Sequence, residues 1–131
     1  MSERTIIKLK EPHEAVFVYL RTKELAKLFL RQASEKSLTW WDGSDPQKHP
    51  VCNIYKIQSN FTINYLYGFH PHLSFYTAIS RHGEGSSIAV DFEKYRSGDP
   101  NYIITDTSQL EIPYCVCFDE LCSHEMQKTD K

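Results

Sequence analysis

Hydrophobic positions recur at helical spacing in one clear stretch of the chain and at strand spacing, or in short runs, almost everywhere else. Ala15 to Leu20 is an apolar run of β-formers bounded by polar residues, the pattern of a buried strand. Thr22 then stands where a helix N-cap belongs, with Glu24 in the first turn. Leu25, Leu28, Phe29 and Ala33 form one apolar stripe, and Lys23, Lys27, Arg31 and Glu35 lie away from it. The spacing predicts an amphipathic helix ending near Lys36. Further strands are expected at Leu38 to Trp41, Val51 to Gln58 and Phe61 to Phe69, the last two as a hairpin turning at Gln58-Ser59-Asn60. Thr5 to Lys10, Leu73 to Ser80, Ile88 to Tyr95 and Tyr102 to Thr105 complete the expected strands.

Turn chemistry separates these segments. Asp42-Gly43-Ser44-Asp45-Pro46, His82-Gly83-Glu84-Gly85-Ser86 and Gly98-Asp99-Pro100-Asn101 are dense in turn formers. Strands at about ten-residue spacing with one strong helix predict an α+β fold. The expectation is a single domain over residues 1–122, a mostly antiparallel sheet with the helix on one face. A polar tail follows at 123–131.

Composition narrows the function classes. A chain of 131 residues can bury a core without metal or disulfides. Aromatic residues make up 13%, with eight Tyr, seven Phe and two Trp supplying large buried areas. The net charge of −2 gives no support to a coat on long nucleic acid, which needs a basic face. The N-terminus has no apolar signal region, and six residues is far too short a run to span a membrane. The expected setting is cytoplasmic, with the four cysteines as free thiols.

Several constellations carry possible chemistry. His70, His72 and His82 are the densest histidine group. Cys115, Cys117, Cys122 and His124 offer zinc ligands, although C-x-C is not the usual C-x2-C knuckle. Asp91 and Glu93 alternate on an expected strand and suggest a magnesium pair. Neither phosphate-loop nor nucleophile-elbow motifs occur. Trp40, Trp41, Tyr65, Tyr67, Phe69, Phe75 and Tyr76 form an aromatic group. Adjacent Trp40 and Trp41 on a strand point to opposite faces, so one should meet the core and the other solvent or a partner. Arg81 and Arg96 flank the glycine turn and its strand, where they suit phosphate or carboxylate.

The order strand, Thr22-led helix, Trp41-Asp42-Gly43, a hairpin over Cys52 to Tyr67 and a closing strand over Tyr102 to Asp106 resembles small α+β proteins encoded by bacteriophages. The resemblance covers roughly residues 15 to 106. Pro71 to Gly98 departs from it as a longer segment. It implies a protein that binds and neutralises a bacterial defence component or its nucleotide signal, working in the host cell cytoplasm.

The leading expectation is therefore a non-enzymatic binding protein with neither cofactor nor metal. Its ligand site would combine Trp41, Tyr67, Arg81 and Arg96, taking a small nucleotide-type ligand. The alternatives are an inhibitor that blocks a bacterial defence protein by direct contact, and a metal-dependent nuclease or hydrolase using Asp91, Glu93, His70 and His72. One helix cannot cover both faces of a sheet, so either the Pro71–Gly98 segment folds back over the open face or a second copy covers it, and a homodimer or higher assembly is expected through the open face and edges.

Overall fold

The computed structural model describes Ile6, Leu9, residues 14–49, 51–65, 69–81, 87–110 and Phe118, with the side chains of 69–72 and 81 outside the description. Five strands, β1 (Ala15–Tyr19), β2 (Thr39–Trp40), β3 (Ile54–Ile57), β4 (Thr62–Tyr65) and β5 (Ser87–Asp91), form one sheet in the order β2-β4-β3-β1-β5. Among the described residues, helices α1 (Lys23–Glu35), α2 (Phe69–Arg81) and α3 (Phe92–Ser97) accompany it. The class is α+β as expected.

The sheet is mixed, not mostly antiparallel. β3 runs against both neighbours, β1 and β4, while β1 pairs parallel with β5 and β2 pairs parallel with β4. The cause lies in the connections. β1 reaches β2 through α1, and β4 reaches β5 through α2, so both are crossovers between strands of the same sense. The two crossovers travel across the sheet in opposite directions. Right-handed connections then require their helices on opposite faces. Ring contacts agree with this. Phe29 of α1 stacks on Tyr55, at 5.5 Å, and Phe75 of α2 meets Phe17, at 5.6 Å. Tyr55 is in register with Val18, one residue along β1 from Phe17, and successive strand residues point to opposite faces.

Local sequence explains each element. The Thr22 hydroxyl accepts from Leu25 N–H to start α1. Its end is a Schellman stop, with Leu38 N–H bonded to the Ala33 carbonyl and Ser37 N–H to that of Ser34. Ser37 takes the left-handed conformation, φ 67°, that the motif demands. Leu73 to Ser80, expected as a strand, belongs to α2 instead. Its buried residues Phe75, Ala78 and Ile79 sit at i, i+3 and i+4, which is helical spacing. Adjacent Phe75 and Tyr76 therefore lie on a helix, with only Phe75 in the core. The strand expected over Ile88 to Tyr95 stops at Asp91, whose carboxylate accepts from Glu93 and Lys94 N–H and so starts α3. Tyr102 to Thr105 contributes a single antiparallel bridge, Ile103 to Val90. Of the expected first strand, Ile6 and Leu9 are helical and buried.

These corrections change the physical basis of the expected self-association. Helices pack on both faces of the sheet. At the β2 edge, Trp40 N–H bonds to the Ser44 carbonyl and Gly43 N–H bonds to that of Trp40, both at 2.8 Å. At the β5 edge, Asp91 N–H and Ile104 N–H are bonded to the Tyr102 and Ala89 carbonyls, also at 2.8 Å. These four edge groups are bonded within the chain and do not template a second copy.

Candidate functional site

The strand alternation at β2 divides the tryptophan pair. Trp40 is 2% exposed and Trp41 is 60% exposed. Trp40 lies flat against the His49 ring, 4.1 Å between centroids at 5°, and meets Tyr65 and Tyr55 at 5.9 and 6.1 Å. The turn beyond it is tightly tied. Gly43 closes it at φ 89°, a conformation other residues rarely adopt. Ser44 is its hub, with its N–H and its hydroxyl both donating to Asp42 Oδ1, at 3.0 and 2.6 Å. Ser44 Oγ also meets His49 Nε2 at 2.5 Å. Asp45 caps the short 3-10 turn Pro46–Lys48 through Gln47 N–H at 3.0 Å.

An aspartate, a serine and a histidine thus meet, but their order does not make a nucleophile. The Ser44 hydroxyl, then its N–H, hold the Asp42 carboxyl below the ordinary carboxylate value. An ionised Asp42 can only accept, so the single Ser44 hydroxyl proton goes to it. His49 Nε2 must then donate to Ser44 Oγ. A base would have to accept that proton instead, and in a triad the carboxylate orients the histidine. Chemically this is a structural strap.

The strap has a pH signature. Burial pushes the His49 pKa below its ordinary 6.5, against the pull of Asp42 and Asp45. The unfolded chain therefore takes up this proton before the folded one does. The His49 contribution is fully present above pH 6.5 and is lost as pH falls through the lower folded value. Melting temperatures between pH 8 and pH 5 should decline for the wild type and decline less for His49→Gln. Parallel slopes in the two proteins would show that His49 is not the group responsible.

Register extends the site across the sheet. Trp41 N–H bonds to the Ile63 carbonyl, which continues the β2–β4 pairing. Alternation places Trp41 on the face of Thr39, beside Asn64 of β4. Asn64 pairs with Lys56 of β3, and Lys56 with Phe17 of β1. The half-buried Lys56 carries its ammonium over the Phe17 ring, at 5.5 Å. The row Trp41–Asn64–Lys56–Phe17 thus passes from an exposed indole through an amide and a cation to the cover of α2.

A second charged group sits at the carboxyl ends of the parallel pair β1 and β5. Asp91, buried, binds Arg21 through Nη2 at 2.8 Å and Nε at 3.0 Å, and Glu93 stands 3.8 Å from Arg21. Burial opposes the Arg21 charge, but the hydrogen bond and charge of Asp91, with Tyr19 and Glu93, raise its pKa further. Asp91 is therefore committed to an arginine and a helix cap, and Glu93 has moved onto α3. Among the described residues no group of three metal-ligating side chains occurs. Replacing Asp91 by Asn keeps an acceptor for the cap and removes the charge beside Arg21. It should cost about 1–3 kcal/mol in denaturant unfolding, and a neutral result would show that the ion pair contributes nothing.

Of the residues chosen from sequence, Trp41 and Arg96 are not brought together. Trp41 follows the edge strand β2, while exposed Arg96 lies on α3 beyond the other edge strand. Four strand spacings separate those edges, roughly 19 Å at about 4.8 Å each. Arg81 ends α2, ahead of β5, at the end of the sheet opposite Asp91. Tyr67, the turn 82–86 with His82, and Cys115, Cys117, Cys122 and His124 lie outside the described residues, as do the side chains of His70 and His72 and the 123–131 tail. Lys56, Asn64 and Arg21 escaped sequence reasoning. Lys56 alternates with apolar residues on β3, an available signal for a cation on a sheet face. Comparison with protein-family models, with curated proteins and with solved structures finds no match to this chain.

Proposed function

We propose that this chain is a non-enzymatic binding protein whose contact centre is Trp41. The observation that carries the reading is an indole 60% exposed beside a turn held by its own hydrogen bonds. A large aromatic side chain on a rigid support loses little freedom on binding and suits an interface anchor. Direct contact with a protein becomes the first choice of target, because Arg96 stands away from Trp41. A small nucleotide-type ligand is the second reading, favoured by the row behind Trp41. There the indole would stack a base, Asn64 would meet a base edge and Lys56 a phosphate. Neutralising a bacterial defence protein or its nucleotide signal, the role implied by the phage resemblance, belongs to the same proposal.

A thermal-shift screen against cyclic and ADP-ribose-type nucleotides tests the two readings. A shift that disappears in both Trp41→Ala and Lys56→Ala supports the nucleotide. Absence of any shift moves the weight to a protein target. A bound target whose affinity is unchanged by Trp41→Ala removes Trp41 from the function. Self-association into a homodimer or higher assembly stays part of the proposal and is measured in parallel by light scattering against the 15.3 kDa monomer.

A further inference from the structure

The two faces of the sheet at the β2 edge differ in charge. Asp42 accepts from the Ser44 N–H and hydroxyl, Ser44 meets His49, and the His49 ring lies on Trp40. Asp45 accepts from Gln47 N–H and from the Ser34 hydroxyl of α1. Both acids thus belong to the Trp40 face, on the side of α1. The opposite face carries Trp41, with Thr39 of β2, Thr62 and Asn64 of β4, and Ile54 and Lys56 of β3. Lys56 holds the charge in that set. No acid pairs with it among the described residues, and α2, which covers the Phe17 end of the face, has none in its sequence. Lysine stems often cover apolar surface while the head stays in water. Lys56 differs: it is half-buried, its ammonium lies over the Phe17 ring at 5.5 Å, and it stands in register with Asn64 and, beyond it, an exposed indole. A half-buried cation without a counter-charge attracts an anion and repels another cation.

We infer that the partner of Trp41 is a protein segment that presents an acidic side chain to Lys56 and packs an apolar one on the indole. This rests on Trp41 being the contact centre. The strand positions of Trp41 and Lys56 are two spacings apart, about 10 Å. About three residues of extended chain span that distance. Each part supplies a different share. The indole gives contact area, Lys56 the charge that fixes the segment's register, and Asn64, between them, an amide that can meet the segment's backbone. A carboxylate matches the row better than a phosphate monoester, which carries up to about two negative charges against a single cation.

The test titrates a pair of hexapeptides with blocked termini into the full chain at low ionic strength, followed by calorimetry. One has three leucines followed by three glutamates, the other three leucines followed by three lysines. The wild type should bind the glutamate peptide more tightly than the lysine peptide. Lys56→Met keeps an unbranched stem over Phe17 and removes the charge. It should weaken binding of the glutamate peptide about fivefold, whereas Lys56→Arg should hold it. Trp41→Ala should weaken it about tenfold. Lys48→Gln removes an exposed charge on the α1 side and should leave it unchanged. Thermal melts confirm that the variants fold. The inference is overturned if the glutamate peptide does not bind, if the lysine peptide binds as tightly, or if Lys56→Met loses no more than Lys48→Gln. Adenosine monophosphate is titrated alongside. If it binds more tightly than the glutamate peptide, and loses that binding in Trp41→Ala and Lys56→Met, the acidic segment is overturned and Trp41 stays the contact centre. Indifference of every titrated ligand to Trp41→Ala would remove both.

Discussion

Replacing Phe29 by Ala is expected to cost about 3–5 kcal/mol of stability, the range for emptying a buried aromatic site. Phe29 is fully buried on α1 and joins three elements. It stacks on Tyr55 of β3 at 5.5 Å and 20°, and meets Phe92 of α3 edge-on at 5.4 Å and 81°. Each such pair adds about 0.5–1.5 kcal/mol beyond the area buried. Tyr55 cannot follow a shortened side chain, because it is fixed in the sheet and its hydroxyl accepts from Cys52 N–H at 2.8 Å. Against a typical total of about 5–15 kcal/mol, the loss is a large fraction. Denaturant unfolding should show a lower midpoint at unchanged slope, with Phe29→Leu losing less. A loss below about 1 kcal/mol would mean that Phe29 does not couple α1 to the sheet.

α1 was legible because every local signal agreed: a Thr cap, an acid in the first turn and one apolar stripe. α2 was not. Phe69 to Arg81 holds aromatics, Thr77 and Ile79 but neither acid nor lysine, so propensity pointed to a strand. Its helical signal is three buried residues, Phe75, Ala78 and Ile79, and tertiary packing against Phe17 and β5 decides its state. Asp91 shows a similar conflict. Ile88 to Tyr95 looks continuous, yet the Asp91 carboxylate serves better as a helix cap and as a partner for Arg21 than as a strand residue.

Strand order was the deeper obstacle. Given the order that puts β3 between β1 and β4, the two right-handed crossovers must lie over opposite faces, a consequence of chirality and of long-range pairing and not of any local pattern. The candidate site inherits that limit. The exposure of one tryptophan was visible in the alternation of Trp40 and Trp41. The separation of Arg96 from Trp41 depends on which strands form the edges. The neighbourhood of Asn64 and Lys56 depends on register between strands distant in sequence.

Trp40→Ala is expected to cost about 3–5 kcal/mol, while Trp41→Ala stays within about 0.5 kcal/mol of the wild type. The residues are adjacent and chemically identical, so the contrast isolates the direction in which β2 presents them. Trp40 covers His49 and meets Tyr55 and Tyr65, and its loss leaves the Ser44–His49 strap without a floor. Trp41 has no comparable burial to lose, and its removal should appear in binding instead. Fluorescence gives a second reading of the same pair. The Trp40→Ala protein retains an indole in water and should emit to the red, whereas Trp41→Ala retains the buried indole and should emit to the blue. A slip of one residue in the β2–β4 register would exchange the two faces. Stability losses in the opposite order would therefore displace Trp41 from the surface and, with it, the contact centre on which the function rests.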